Sequence, residues 1–373
     1  MRIILLIDSL DGGGAETQLV SLAQGLKKNG HDVFVALFYY KGRLINNLIK
    51  SEITIISLEK TGRWDIVGFV YRYIKLLQKK KPDVVYGFLG TSNIMNALIK
   101  CFFKKMKFVW GIRSSAMDIK KYDWLVQLFY KIESVLSFIP DHIIANSYSG
   151  RDSAVQRGFP EKNISVIVNG IDTEQFCPNK KSRKELRKKW GVAENEKLIG
   201  HVGRLDPKKD HMTFLEAAAI VKEKNDDAHF VCVGDGPQNY RYYLEDLGKK
   251  LGLRDRLIWA GALSDIANVY NALDILVSSS AYGEGFPNVI GEAMACGVYP
   301  VVTDVGDSAR IVNSLGKIVK PQNKDELAEA VLSSLSEISK ADSELIRERI
   351  VSNFALRNMV EDTEKKILNI IGQ

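Results

Sequence analysis

The stretch Glu284-Gly-Phe-Pro-Asn-Val-Ile-Gly-Glu292-Ala-Met-Ala-Cys-Gly297 decides how this chain is read. Two carboxylates enclose seven residues that include Gly285, Phe286 and Pro287. Pro287 suits the first turn of a helix, where its missing N–H goes unneeded. Gly297 suits the left-handed residue that closes one. Glu284 is then expected on the loop after a strand, and Glu292 about two turns into the helix. The amides of residues 288 to 290 are expected to point at the mouth of the loop, and a helix N-terminus of this kind binds phosphate. Carboxylates beside it can accept hydrogen bonds from sugar hydroxyls. Phosphate together with a polyol describes a nucleotide sugar.

Outward from this stretch the chain alternates apolar runs with helical patterns. Runs at 3–7, 33–38, 54–58, 84–88, 108–112, 142–145 and 165–168 read as strands of a parallel sheet. Residues 15–28, 65–80, 92–103 and 122–138 read as helices between them. A second series of strands follows at 198–202, 229–233, 257–260, 275–278 and 301–303. The 373 residues suit two such α/β domains better than one core. An Asn169-Gly170 turn and a charged stretch at 180–189 separate the two series. Ligands of such sheets sit beyond the carboxyl ends of the strands.

Three further segments stand at strand ends. Gly12-Gly-Gly-Ala-Glu16 follows the first strand and lets backbone approach a phosphate. Thr17 stands where a dinucleotide-binding fingerprint needs its last glycine. Val202-Gly-Arg-Leu-Asp-Pro-Lys-Lys-Asp210 follows the first strand of the second series and brings Arg204 and Lys209 close in sequence. Fixed cations there would stabilise charge developing on a leaving diphosphate. Val233-Gly-Asp-Gly-Pro237 is a third turn, with Gly234 and Gly236.

Together these motifs resemble the retaining glycosyltransferases of family four, over nearly the whole chain and most specifically between residues 200 and 305. The resemblance implies the GT-B fold: two doubly wound Rossmann-like domains facing a cleft. Residues 1–176 would bind the acceptor and 177–355 the nucleotide sugar, and a helix at 356–373 would cross back to the first domain. It implies that Glu284 orients the donor sugar and Glu292 holds the ribose. The backbone from Phe286 through Pro287, Asn288 and Val289 would meet sugar and phosphates. Arg204 and Lys209 would clamp the diphosphate, so that Arg204, Lys209 and Glu284 form the catalytic set. Gly13 and Gly14 would face the donor diphosphate, Gly234 and Gly236 would shape the wall near the nucleotide, and backbone of 259–261 would read the base.

The chain departs from that pattern after its fourth strand. Many relatives carry a histidine there, whereas this chain reads Tyr86-Gly-Phe-Leu-Gly-Thr-Ser92. Thr91, Ser92, Asn93, Arg113 and Ser114 are the nearest polar residues, and Arg113 is expected to face a donor or an acceptor phosphate. The five histidines read as ordinary core or surface residues. No Asp-x-Asp occurs, so no metal and no cofactor are expected.

Charge divides unevenly. Residues 1–170 carry 24 Lys/Arg against 14 Asp/Glu, and residues 171–373 carry 28 against 31. The basic first half is expected to meet an anionic partner. No nucleic-acid module is recognisable, and the basic clusters lie beside apolar residues. These clusters are 99–108, the helix with Trp124 and Phe129 flanked by Lys120, Lys121 and Lys131, and Arg72 with Lys75 and 79–81. An anionic membrane surface fits them best. Four widely spaced cysteines suggest neither a zinc site nor a disulfide framework. The apolar start is cut short by Asp8, too early for a signal peptide, so a cytoplasmic, membrane-peripheral enzyme is expected.

The expected activity is transfer of a sugar, with retention, from a nucleoside diphosphate sugar to a hydroxyl of a lipid-linked glycan. A UDP-sugar donor and a role in O-antigen or surface polysaccharide synthesis are implied by the resemblance alone. The alternatives are a nucleotide-sugar 2-epimerase of similar fold and a non-catalytic nucleotide-sugar-binding subunit. A glycosidase could use paired carboxylates but would not need the cations.

Overall fold

Buried strands of Ile, Leu, Val and Phe alternate with helices that bury one face, and the result is two separate units. The structure, a computed structural model, describes residues 1–62, 64–113, 115, 124–338 and 340–372. Ser114, Lys120, Lys121 and the start of the helix expected from residue 122 lie outside the described residues.

The first unit runs β1 (Arg2–Ile7), α1 (Gly14–Lys28), β2 (Asp32–Leu37), α2 (Ile45–Lys50), β3 (Thr54–Ser57), α3 (Val67–Lys80), β4 (Val84–Phe88), α4 (Gly90–Lys100), β5 (Lys107–Ile112), α5 (Trp124–Leu136), β6 (His142–Ala145), α6 (Tyr148–Gln156) and β7 (Ile164–Val166). Its sheet is parallel, in the order β3-β2-β1-β4-β5-β6-β7. The order reverses between β1 and β4, which is the switch point where such sheets bind ligands. Side chains from β1 alternate between two cores. Ile3, Leu5 and Ile7 pack with α1 residues, and Ile4 and Leu6 pack with Phe69, Tyr73 and Leu77 of α3.

The second unit runs α7 (Lys180–Trp190), β8 (Lys197–Val202), α8 (His211–Lys224), β9 (Ala228–Val233), α9 (Gln238–Lys250), β10 (Leu257–Gly261), α10 (Ile266–Ala272), β11 (Ile275–Ser278), α11 (Asn288–Ala295), β12 (Tyr299–Thr303), α12 (Ser308–Val312), β13 (Lys317–Val319), α13 (Lys324–Glu337) and α14 (Lys340–Asn353). The sheet order is β10-β9-β8-β11-β12-β13, with its switch point between β8 and β11. The short edge strand β13 was not expected from the sequence.

The helix α15 (Leu356–Ile371) returns to the first unit. Met359, Val360, Ile367 and Ile370 join the core over β1. Gly25 of α1 lets the two helices close up, since a Cβ there would sit 2.4 Å from Val360. The Glu364 carboxylate takes hydrogen bonds from Asn29 at 2.6 Å and His31 at 2.8 Å. The units divide at Gly170/Ile171 and Ala355/Leu356. The first division falls six residues before the expected 176/177, because Ile171 is already tied to the second unit. Its N–H donates to the Phe354 carbonyl at 2.8 Å, beside a parallel bridge to Ala355.

Candidate active site

In the second unit, the loop after β11 carries Glu284, buried with 7% of its surface exposed. Its Oε1 lies 2.7 Å from the Lys209 ammonium and accepts a hydrogen bond from the Ser280 hydroxyl at 3.1 Å. Burial alone would raise the pKa of this carboxyl. Lys209 and Lys208, with the hydrogen bonds, outweigh burial and hold it below its ordinary value.

Lys209 reaches Glu284 because its backbone is fixed from three sides. It ends a 3-10 turn, Pro207–Lys209, whose start is capped by Asp206. Asp210 then takes the left-handed conformation and caps α8 through Thr213. The Lys209 carbonyl accepts from the Ser279 hydroxyl and pairs with His201 Nε2, each at 3.1 Å. His201 and His211 lie ring to ring at 4.1 Å beneath this turn, both buried. Neither ring nitrogen of His211 has a hydrogen-bond partner. Burial lowers His201 to about 4 and drives His211 in the same direction. Both rings are therefore neutral at pH 7. The histidines, expected as ordinary core or surface residues, are core residues that support the Lys209 turn, whereas Ser279 was not expected at the site. The run of three serines at 278–280, ending a strand just before Glu284, is the signal that could have found the latter.

Arg204 stands apart from this pair. Its side chain is 67% exposed and donates to Asp206 at 2.9 Å. The structure thus joins Lys209 to Glu284, and leaves the guanidinium toward solvent beside them in sequence. Gly234, with φ +142°, lies against the Gly203 carbonyl, where a Cβ would come within 1.9 Å. Any side chain there would push this loop off the turn that carries Arg204. Gly236 meets the Leu205 carbonyl in the same manner, and β10 ends at Gly261 with a break in register after Trp259.

The helix after Glu284 differs from expectation in three details. Pro287 is the residue before the first turn, and α11 begins at Asn288. Glu292 is consequently just over one turn into the helix, not two. Of the three amides expected at the mouth, that of Ile290 donates to the Pro287 carbonyl at 3.1 Å, leaving Asn288 and Val289 as the first helical residues. Gly297 closes the helix with φ +79°. Phe286 is buried against Phe354 rather than presented to solvent. Glu292 accepts a 2.7 Å hydrogen bond from the buried Tyr270 hydroxyl, and burial raises its pKa.

In the first unit, Gly13 precedes α1 and Gly14 begins it. Glu16 folds back over Gly13, and Arg43 donates to the Gly12 carbonyl at 3.0 Å. At the end of β5, Arg113 donates to the Tyr86 hydroxyl at 2.8 Å and lies over the Phe88 ring at 4.0 Å. A longer contact at 3.4 Å joins it to Asn169. Its Nε is buried without a partner, and burial lowers its pKa. At the end of β1, Asp8 accepts from the Thr91 hydroxyl, which spans both carboxylate oxygens at 2.9 and 2.8 Å. Asn93, one of the polar candidates of the sequence, is spent inside the fold. It bonds both the N–H and the carbonyl of Gly111 and donates to Glu133.

That Glu133 inverts α5. It is the buried residue of the helix and pairs with Arg157 at 2.9 Å, while Trp124, Val126, Leu128, Phe129 and Val135 are exposed. Arg72 is likewise taken up internally, by Asp65 and the carbonyls of Leu58 and Glu59, and leaves the basic surface cluster.

Two family models match these two halves. Residues 12–175 match the model described as Glycosyltransferase Family 4, and residues 182–348 the one described as Glycosyl transferases group 1. The chain belongs with the family-four-like glycosyltransferases. An uncharacterized glycosyltransferase of Methanocaldococcus jannaschii is 28% identical, over 95% of this chain and 89% of its own. The UDP-Gal:alpha-D-GlcNAc-diphosphoundecaprenol alpha-1,3-galactosyltransferase of Escherichia coli is 27% identical, over 80% of this chain and 78% of its own. Among solved structures, that of Anabaena HepE in complex with UDP superposes with a TM-score of 0.88 at 22% identity, over 99% of this chain and all of that one. That likeness shows the fold: two Rossmann-like α/β units of the GT-B type.

Proposed function

We propose that this glycosyltransferase moves a sugar, with retention of configuration, from a UDP-sugar held by the second unit to a hydroxyl of a lipid-linked glycan. The observation that carries the reading is the buried Lys209–Glu284 pair at the ligand edge of the second sheet. It offers a fixed cation for the diphosphate and a fixed carboxylate for sugar hydroxyls, without reorganisation at the moment of reaction. Glu292 and the start of α11 stand on the same loop and helix, suited to ribose and phosphate. Arg204 has room to swing onto the diphosphate, since its side chain is exposed and its partner, Asp206, is a carboxylate beside it in the same turn. In this reading a donor phosphate oxygen takes the acceptor proton and no metal is required. UDP is supported by the HepE complex, and a lipid diphosphate acceptor by the E. coli relative.

The membrane reading rests on α5. Its outward face is apolar, and Phe102 with Lys104 and Lys105 adds an exposed aromatic-basic patch after α4. Among the described residues no helix is long and apolar enough to cross a membrane. Such a surface suits attachment to an anionic leaflet, with a role in surface polysaccharide synthesis.

The decisive experiment incubates the protein with UDP- and GDP-sugars and polyprenyl diphosphate-linked sugars. Release of UDP with a new glycosidic linkage of the donor's anomeric configuration is expected. Release of GDP would replace the base, an inverted linkage would overturn the retaining assignment, and epimerised donor without transfer would favour the epimerase.

A further inference from the structure

Tyr270, on α10, is fully buried, yet it carries a hydroxyl where a phenylalanine would fill the same space. A buried phenol has to find a partner, because an unpaired one forfeits its bond to water. This one donates to Oε2 of Glu292 at 2.7 Å. Burial and the neighbouring Glu292 carboxylate drive the phenol's pKa well above its ordinary value, so it keeps its proton and acts as a donor.

The two partners are not equally fixed. The Phe176 ring meets the Tyr270 ring edge to face, with centroids 5.9 Å apart. The next residue, Asn271, accepts from the Asn179 N–H at 2.6 Å and donates to the Cys177 carbonyl at 3.0 Å. Residues 176–179 thus pin the helix that carries the phenol. Glu292 has a longer, freely rotating side chain and is half-buried. Its Oε2 is taken by the phenol, and among the described residues its Oε1 has no hydrogen-bond partner. An ionised carboxylate can accept about four hydrogen bonds, so most of its capacity is left for a ligand. Burial favours the neutral carboxyl, and the Tyr270 hydroxyl and the Lys209 charge work against that.

We propose that Tyr270 is a positioning residue for nucleotide binding: its hydroxyl holds Glu292 by Oε2 and so presents Oε1 to a hydroxyl of the donor's ribose. The assignment rests on the transferase reading, in which Glu292 serves the ribose. It adds the residue through which the site tells a ribonucleotide from one that lacks the ribose hydroxyls. A carboxylate already ordered by a rigid partner has less rotamer freedom to lose when the nucleotide arrives. Tyr270 itself touches no substrate and moves no proton.

The test is calorimetric titration of UDP and of 2′,3′-dideoxyuridine diphosphate, which lacks both ribose hydroxyls. The proteins are the wild type, Tyr270→Phe, Glu292→Gln and the double variant. The wild type should prefer UDP. Tyr270→Phe should bind UDP roughly tenfold more weakly, the scale of a hydrogen bond to a charged group, and bind the dideoxy compound as before. Its donor KM should rise while turnover at saturation stays near wild type. In the Glu292→Gln background the same substitution should add nothing, since the phenol acts only through that carboxylate. The preference for UDP should fade in acid as Glu292 gains a proton. Because the phenol lowers the pKa of that carboxyl, Tyr270→Phe should move the loss to higher pH. Equal losses for both nucleotides in Tyr270→Phe would mark a structural role and overturn the proposal, as would additive losses in the double variant or an unmoved pH profile. A preference lost in Glu292→Gln but kept in Tyr270→Phe would overturn the proposal and leave the ribose reading standing. A wild type that bound both nucleotides alike would take the ribose from Glu292 and overturn this inference with it, and one that bound neither would overturn the transferase reading itself.

Discussion

The Lys209 ammonium and the Glu284 carboxylate, 75 positions apart in the chain, are held 2.7 Å from each other with little exposure of either side chain. The pair makes the two residues a single functional unit, and single substitutions will report on both. Lys209→Ala should reduce transfer by roughly 2.7–4 kcal/mol of transition-state stabilisation. It should also destabilise the second unit by roughly 3–5 kcal/mol, because a buried carboxylate loses its cation. The double variant Lys209→Met, Glu284→Gln should recover most of that stability and none of the activity. Urea midpoints beside turnover numbers check this. Additive stability losses would show that the two groups are not coupled.

Arg204 should behave in the opposite way. Its exposed pair with Asp206 contributes at most about 1 kcal/mol. Arg204→Ala should therefore leave the urea midpoint near wild type while lowering turnover on the same scale as Lys209→Ala. Wild-type turnover in the Arg204→Ala, Lys209→Ala pair would remove the diphosphate clamp from the assignment.

Acid should weaken the second unit through the histidines under the Lys209 turn. His201 falls from 6.5 to about 4 on folding because burial penalises its charged form. Between those values the unfolded chain binds more protons than the folded one, so stability is complete above the upper value and declines as pH drops. At pH 5 the loss from His201 is on the order of 2 kcal/mol, and His211 adds to it in the same direction. Urea titrations from pH 7.5 to 5 should show this slope, and His201→Gln should flatten it. An unchanged slope in the variant would assign the acid sensitivity elsewhere.

Membrane attachment should depend on charge and on the inverted helix together. Liposome co-sedimentation should require acidic lipid and weaken in concentrated salt, where the screening length shrinks to about 3 Å at 1 M. Reversing Lys104, Lys105 and Lys107 to Glu should release the protein, and Trp124→Ser, Phe129→Ser should do so at low salt as well. Equal binding to neutral vesicles would contradict the electrostatic part.

Transfer should survive excess chelator, since Lys209 and Arg204 supply the charge that a metal would otherwise bring. Loss of turnover with chelator, restored by magnesium or manganese, would require a metal in the mechanism.

Strand positions were legible because both sheets are buried on two faces, so their strands are unbroken apolar runs such as Ile3–Ile7 and Ile275–Ser278. The edge strand β13 was not, being three residues long and begun by a lysine. The glycine turns were legible from composition, and the close approach of Gly234 to Gly203 accounts for that residue choice. What the sequence could not supply were partnerships over distance. Lys209 and Glu284 were assigned to separate parts of a ligand, and nothing local shows that they meet first. Glu292 and Tyr270, 22 residues apart, are another such pair. The apolar residues of α5 were read as part of a surface patch and they are exposed, but the inward turn of Glu133 is visible only through its partners Asn93 and Arg157.

The return of α15 has a consequence for synthesis. The second unit is one continuous stretch, Ile171–Ala355, whereas the first is completed only by residues 356 onward. Chains grow from the N-terminus at about 5–20 residues per second, so the first unit receives Val360 and Ile367 only after the whole of the second unit has been synthesised. Until then the α1 face around Gly25 lies bare, an apolar surface within reach of chaperones or of a neighbouring nascent chain. The half of this protein that is made first cannot complete its core until the other half has been made.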